Sequence, residues 1–243
     1  MDWSMKALLK EIVLSATYRQ SSKASPELIA RDPGNHLYAR GPRFRLSAEQ
    51  VRDQALAVSG LLSSKMYGPS VMPWQPPGVW QTVYSGESWE QSQGEDQYRR
   101  ALYTFMKRTS PYPSFISFDA TSREVCLVQR IRTNTPLQAL VTLNDPVYLE
   151  ASRHLAGKME KAGGGDAEAA IKAGYRQAMM RPVPEEKLAV LQRLYTRAYK
   201  KYQAEPEEAR KLMASDAAVS PHRAALTIVA SAIMNLDEFL TKS

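Results

Sequence analysis

The stretch RTNTPLQALVTLNDP, residues 132–146, puts two helix starts and a turn into a single short segment. Thr135-Pro136-Leu137-Gln138 matches a capping box: the threonine hydroxyl accepts from the N–H three residues on, and the glutamine reaches back to the threonine N–H. Pro136 takes the first helical position, where its missing N–H costs nothing. That helix ends near Leu143. Asn144 and Asp145 suit a turn or a cap, and Pro146 opens a second helix that runs to about Lys161. The sequence thus specifies a corner between two helices of fixed direction.

Helical patterning dominates on both sides of the corner. GGGDAEA at 163–169 reads as a turn with Asp166 as a cap, followed by helices over about 167–179, 185–203, 206–214 and 221–236. The run AALTIVASAIM, 224–234, has about half the roughly 20 apolar residues that span a bilayer, and reads as a buried helix. At the other end, Trp3, Leu8, Leu9, Ile12, Val13 and Ala16 recur at helical spacing, predicting a helix over 3–18. Ser25-Pro26 can start one short turn, and Asp32-Pro33-Gly34-Asn35 reads as a turn. LSAEQVRDQALAVSGLL, 46–62, is a helix with a second capping box, Ser47 and Gln50, and a buried stripe of Val51, Ala55, Val58 and Leu62.

Residues 63–97 break all periodicity. Their prolines exclude helix and central strand, yet they hold Trp74, Trp80, Trp89, Tyr67 and Tyr84. Disordered segments are poor in aromatics, so an ordered loop pinned by its rings is expected. YRRALYTFMKR (98–108) and REVCLVQRIR (123–132) are the strand candidates, expected to pair with each other. The fold class is therefore mainly α: a helical domain with a long ordered Pro/Trp-rich loop and a small two-stranded β element. A single domain over 1–243 is expected, with a helical N-terminal region over 1–62, the loop and β element over 63–132, and a helical C-terminal region over 133–243.

The chain has 243 residues, of which 44% are hydrophobic, enough to bury a sizeable core. Mean hydropathy is −0.41, and the N-terminus lacks a signal-peptide layout. The single cysteine, Cys126, excludes an internal disulfide, a clustered-cysteine metal site and a CxxCH haem attachment. Between Val125 and Leu127 it reads as a core thiol. His36, His154 and His222 show no metal-ligand spacing. A net charge of +7 permits attraction to polyanions; it equally describes a solvated basic surface.

Several stretches together resemble a known family: EIVLSATYRQSS (11–22), RGPRFRLSAEQVRDQALAVSGLL (40–62), GPSVMPWQPPGVW (68–80), GEDQYRRALYTFMKRTSPYPSFISFDATSREVC (94–126), the 132–146 corner and NLDEFL (235–240). They look like the planctomycete-type domain of unknown function 1553, found C-terminal in large cytochrome-c-like proteins. The resemblance implies long, exported parents with a haem domain and a middle domain ahead of this one. This chain lacks the haem-binding region and the middle domain, which fits a fragment. No cofactor is expected within it, and the missing domains are expected partners.

From a basic cluster that also holds Arg40, Lys107 and Arg108, the arginines Arg43, Arg45, Arg99, Arg100, Arg123, Arg130 and Arg132 are the ligand-binding candidates, with Trp74 and Trp80 in the loop nearby. Arginine's planar fork suits carboxylate, sulfate or phosphate, and indole faces suit sugar rings. This set is the candidate surface for an anionic or carbohydrate ligand, making the chain an accessory or interaction module. The competing reading is internal: arginines paired with Glu95, Asp96, Asp119 and Glu124, and tryptophans that clamp their own loop. Asp119 and Glu124 are also the candidate acid/base pair of a polysaccharide-acting hydrolase, which needs two carboxyls about 5–9.5 Å apart across a cleft. Nucleic-acid binding rests on net charge alone.

Overall fold

The computed structural model describes residues 3–80, 88–215 and 219–242. Tyr84, one of the expected loop anchors, lies outside the described residues. The chain divides into two compact units, 1–45 with 241–243, and 46–240.

The smaller unit holds helices α1 (Met5–Leu14) and α2 (Pro26–Arg31), and an antiparallel pair of two-residue strands, β1 (Phe44–Arg45) and β2 (Thr241–Lys242). Ser4 and Ser25 cap the two helices through their hydroxyls. The Asp32–Asn35 turn closes as expected, and the Asp32 carboxylate accepts from the N–H groups of His36 and Leu37. Although α1 has the expected apolar spacing, none of its residues is buried.

The larger unit is helical: α3 (Ala48–Ser59), α4 (Pro113–Ser117), α5 (Pro136–Asn144), α6 (Pro146–Gly163), α7 (Ala167–Met179), α8 (Glu185–Ala204), α9 (Pro206–Met213), α10 (Pro221–Met234) and α11 (Asp237–Leu240). Helix α10 is the expected buried helix, packed against α6, α7 and α8. Its alanines let neighbouring backbones approach, while Leu226, Val229, Ile233 and Met234 fill the core. Helix α6 also packs against α3 and α5. The predicted caps Ser47, Asp145 and Asp166 accept from their helices' first N–H groups, as does Ser220 ahead of α10, and the Ser47–Gln50 box closes in both directions.

Two expectations need correction. Residues 98–108 and 123–132 do not pair. The first forms short 3-10 turns, with only Thr104 bridging to Val71, and the second forms no strand. The two-stranded sheet lies elsewhere, between residues nearly 200 positions apart in sequence, where no local pattern announces it. The Thr135–Gln138 box closes only halfway. The Thr135 hydroxyl accepts from the Gln138 N–H, but the fully buried Gln138 amide instead donates to Asp119 and Thr133. The amide is turned so that its N–H₂ meets the Asp119 carboxylate, a charge-assisted bond, and its oxygen, which the box would have used as acceptor, has no partner among the described residues.

The loop is ordered over its described residues, 63–80 and 88–97. Val71 exchanges backbone hydrogen bonds with Tyr103 and Phe105; the Met72 N–H donates to the Ser92 hydroxyl, and the Ser92 N–H to the Met72 carbonyl. Trp80 is only 7% exposed and meets Trp89 edge-on, with ring centroids 5.3 Å apart. Trp89 in turn stacks on Tyr112 at 6.0 Å and donates its indole N–H to the Pro73 carbonyl at 2.8 Å. The clamp reading of these tryptophans describes what the rings do.

Candidate functional site

The arginines have separate fates, set by their elements. Arg99, on the first 3-10 turn's edge, is 1% exposed. It donates to the carbonyls of Pro69, at 3.0 Å, and Tyr67, and lies 3.8 Å over the Tyr103 ring. Arg52 on α3, which sequence reasoning passed over, is 2% exposed and donates to the carbonyls of Arg99 (2.8 Å) and Gln97 (2.7 Å). These two buried forks bind backbone oxygens, not carboxylates, and so fasten the loop to the helices. Arg100 is exposed and lies 3.5 Å from Asp53. Arg130 grips Glu49 through two bonds, at 2.7 and 3.0 Å. Arg123 is exposed, with a left-handed backbone (φ 60°), and Arg132 is exposed. Arg43 and Arg45 belong to the smaller unit, the first exposed and the second half-buried in β1.

Asp119, at φ 59°, accepts from the Thr133 N–H (2.8 Å), the Thr133 hydroxyl and the Gln138 amide. Its carboxylate is spent on closing the segment that leads into α5. Glu124 is exposed on that segment. Cys126 is exposed too, against the expectation of a core thiol, because the strand that would have buried it does not form. Val125, Leu127, Val128 and Ile131 beside it are likewise open to solvent.

What the corner builds is a cleft of about 420 Å³. Leu140, Val141, Asn144 and Asp145 supply one wall, from the end of α5 and the start of α6; Tyr112 and Pro113 at the start of α4, with Trp74 and Gln75 from the loop, supply the rest. The pieces are locked together, since the Tyr112 hydroxyl donates to the Trp74 carbonyl at 2.6 Å. Burial pushes the Tyr112 phenol up to about 12, so it stays a donor. Trp74 is half-buried, with more open face than Trp80.

Asp145 is the only formally charged side chain among the cleft's lining residues. Among the described residues its carboxylate accepts one hydrogen bond, from the Val147 N–H at 2.9 Å. Burial raises its pKa; that N–H and the charge of Arg52 offset the effect only in part. The amide oxygen of Gln75, in the cleft wall, is buried without a hydrogen-bond partner among the described residues. Neither Asp119, nor Glu124, nor any of the candidate arginines lines this cleft, whereas Trp74 does. Sequence reasoning missed Tyr112, Gln75 and Arg52. Asn144 and Asp145 were legible as a turn and a cap, but not as a wall.

Among the described residues no three metal-ligating side chains gather, and no helix is long and apolar enough to cross a membrane. Fold and cleft together define a mainly α protein with a ligand-sized recess at a helix corner. A family model described as PSD1, protein of unknown function (DUF1553), matches residues 1–195, and the chain belongs to that family. No curated protein and no solved structure matches the chain.

Proposed function

We propose that this chain is a non-catalytic binding module, an accessory region of a longer protein, whose ligand seats an apolar ring or chain in the cleft between Trp74, Tyr112 and Leu140. The observation that carries this reading is the cleft itself. Its volume of about 420 Å³ lies in the range of small-molecule and side-chain sites. Its walls are mostly apolar, with a few polar groups placed to orient what enters. No second carboxylate faces Asp145 there, so an acid/base pair has no footing in it. An anionic ligand draws no support from the cleft either, because no arginine or lysine lines it. Trp74 remains a stacking face for a sugar ring.

The test is a titration of the chain with benzyl alcohol, a neutral ring probe, and with methyl glucoside, followed by amide shifts at Trp74, Asn144 and Val147. Shifts from benzyl alcohol that vanish in Leu140→Arg support the reading. Leu140 is 56% exposed on α5, so the long side chain can block the cleft while stability changes by only about 0.5 kcal/mol. Shifts from the glucoside alone would replace the ligand class with a sugar. Silence of all three amides towards both probes would remove the cleft as a site.

A further inference from the structure

The cleft has one charge and one sign. Asp145 lines it at the α5–α6 corner with a single N–H donor on its carboxylate, and the other polar walls are the uncharged Gln75, Ser114, Ser117 and Asn144. Of these, Asn144 already spends one N–H of its amide on the Leu140 carbonyl (2.9 Å), and Ser117 its hydroxyl proton on the Pro113 carbonyl (3.2 Å). The Tyr112 proton is committed to the Trp74 carbonyl. Asp145 accepts only the Val147 N–H, and the buried Gln75 amide oxygen has no partner among the described residues, so the cleft offers acceptors to a donor brought from outside. Arg52 supplies a positive field behind Asp145, but its terminal nitrogens are spent on the carbonyls of Arg99 and Gln97. An aromatic face beside a carboxylate is the arrangement that attracts an organic cation, since ring quadrupole and anion act in the same direction.

We propose that the ligand of the cleft is an organic cation: an apolar body with an ammonium group, placed so that the ammonium donates to Asp145 while the body lies against Trp74 and Leu140. This rests on the cleft being a binding site, as argued above, and adds the ligand's charge. Asp145 orients the ligand and selects its sign; Trp74 supplies the apolar platform.

Three probes of nearly one shape separate the two claims: benzylamine, benzyl alcohol and benzoate, each titrated into the whole chain at neutral pH and followed at Trp74, Asn144 and Val147. Benzylamine is expected to bind roughly tenfold tighter than benzyl alcohol, the yield of one charge-assisted hydrogen bond, and benzoate weakest. In Asp145→Asn the amine and the alcohol should bind alike. Asparagine caps a helix as well as aspartate, so α6 keeps its start, and a melting temperature no lower than the wild type's verifies this. Equal binding of amine and alcohol by the wild-type chain, or a preference that survives in Asp145→Asn, overturns the cation while leaving the cleft as a site. Absence of shifts with all three probes removes the cleft and the cation together.

Discussion

Arg130 holds Glu49 with both prongs of its guanidinium, at 2.7 and 3.0 Å, across 81 residues of chain. This bond ties the exposed segment before α5 to the first turn of α3, and it assigns Arg130 to the fold. Burial alone would raise the Glu49 carboxyl, but the Arg130 hydrogen bond, the helix N–H of Glu49 and the nearby positive charge outweigh it, so its pKa falls below the ordinary 4.5. The stability the pair contributes is therefore fully present above pH 4.5 and is lost as pH falls through the lower, folded value. Both side chains keep partial exposure, 34% and 27%. Arg130→Ala should therefore cost only about 1 kcal/mol at pH 7, and almost nothing near pH 3. Urea unfolding at the two pH values checks this; an equal cost at both would deny that the pair is what Arg130 contributes.

Asp145 should behave with the opposite sign. Its carboxyl is raised by burial, with Val147 and Arg52 offsetting only some of the effect. A group raised on folding contributes stability that is complete below its unfolded value of 3.8 and lost as pH rises through the folded one. Asp145→Asn removes that titration and keeps the cap. Measured by thermal melts, the variant should gain on the wild type between pH 4 and pH 7 and melt no lower at pH 7. A variant that loses ground as pH rises would show that the ionised form is the better folded partner.

Those two residues also show where sequence reading succeeds and stops. Caps are local rules, so the starts of α3, α6, α7 and α10 were legible within three or four residues. The strand candidates failed because pairing is not local. REVCLVQRIR has strand-like composition, but β-propensity measures fit to neighbours, and none forms a sheet with it. The arginines were visible as a cluster in sequence, yet adjacent Arg99 and Arg100 end up one buried and one exposed. The cleft draws on residues 74, 112, 140 and 145, whose convergence depends on tertiary packing and leaves no spacing to read.

The position of Cys126 gives a direct chemical check. It is exposed, so Ellman's reagent should titrate the single thiol in the native chain, at a rate close to that in denaturant. Protection by a factor of a hundred or more would return it to the core and restore the strand that the structure denies.

Gly174 tests the packing of α6 on α7. Helix propensity alone favours Gly174→Ala by up to about 1 kcal/mol. A Cβ there, however, would lie 2.6 Å from both Cγ and Sδ of Met159, a side chain that is 1% exposed and has nowhere to retreat. Overpacking of this kind costs about 1–3 kcal/mol, so the net effect should be destabilising. Shortening Met159 should then hurt less in the Gly174→Ala background than alone, which a double-mutant cycle in urea measures. Additive costs would mean that the two helices adjust elsewhere.

Arg99 and Arg100 make the sharpest comparison, because the same substitution at neighbouring positions should have unequal effects. Lysine keeps the charge but loses the fork. At Arg99, itself 1% exposed, that leaves one of the Tyr67 and Pro69 carbonyls without its donor and removes the guanidinium from the face of the Tyr103 ring. Arg99→Lys should cost about 2–3 kcal/mol and expose the loop around 63–80 to protease. Arg100 is exposed, and its 3.5 Å contact with Asp53 is one an ammonium can replace. Arg100→Lys should stay within about 0.5 kcal/mol of the wild type, with the loop as resistant as before. Limited proteolysis alongside urea unfolding reads both quantities. If the two variants behave alike, the loop is not held by Arg99, and the Trp74 wall of the cleft needs another support.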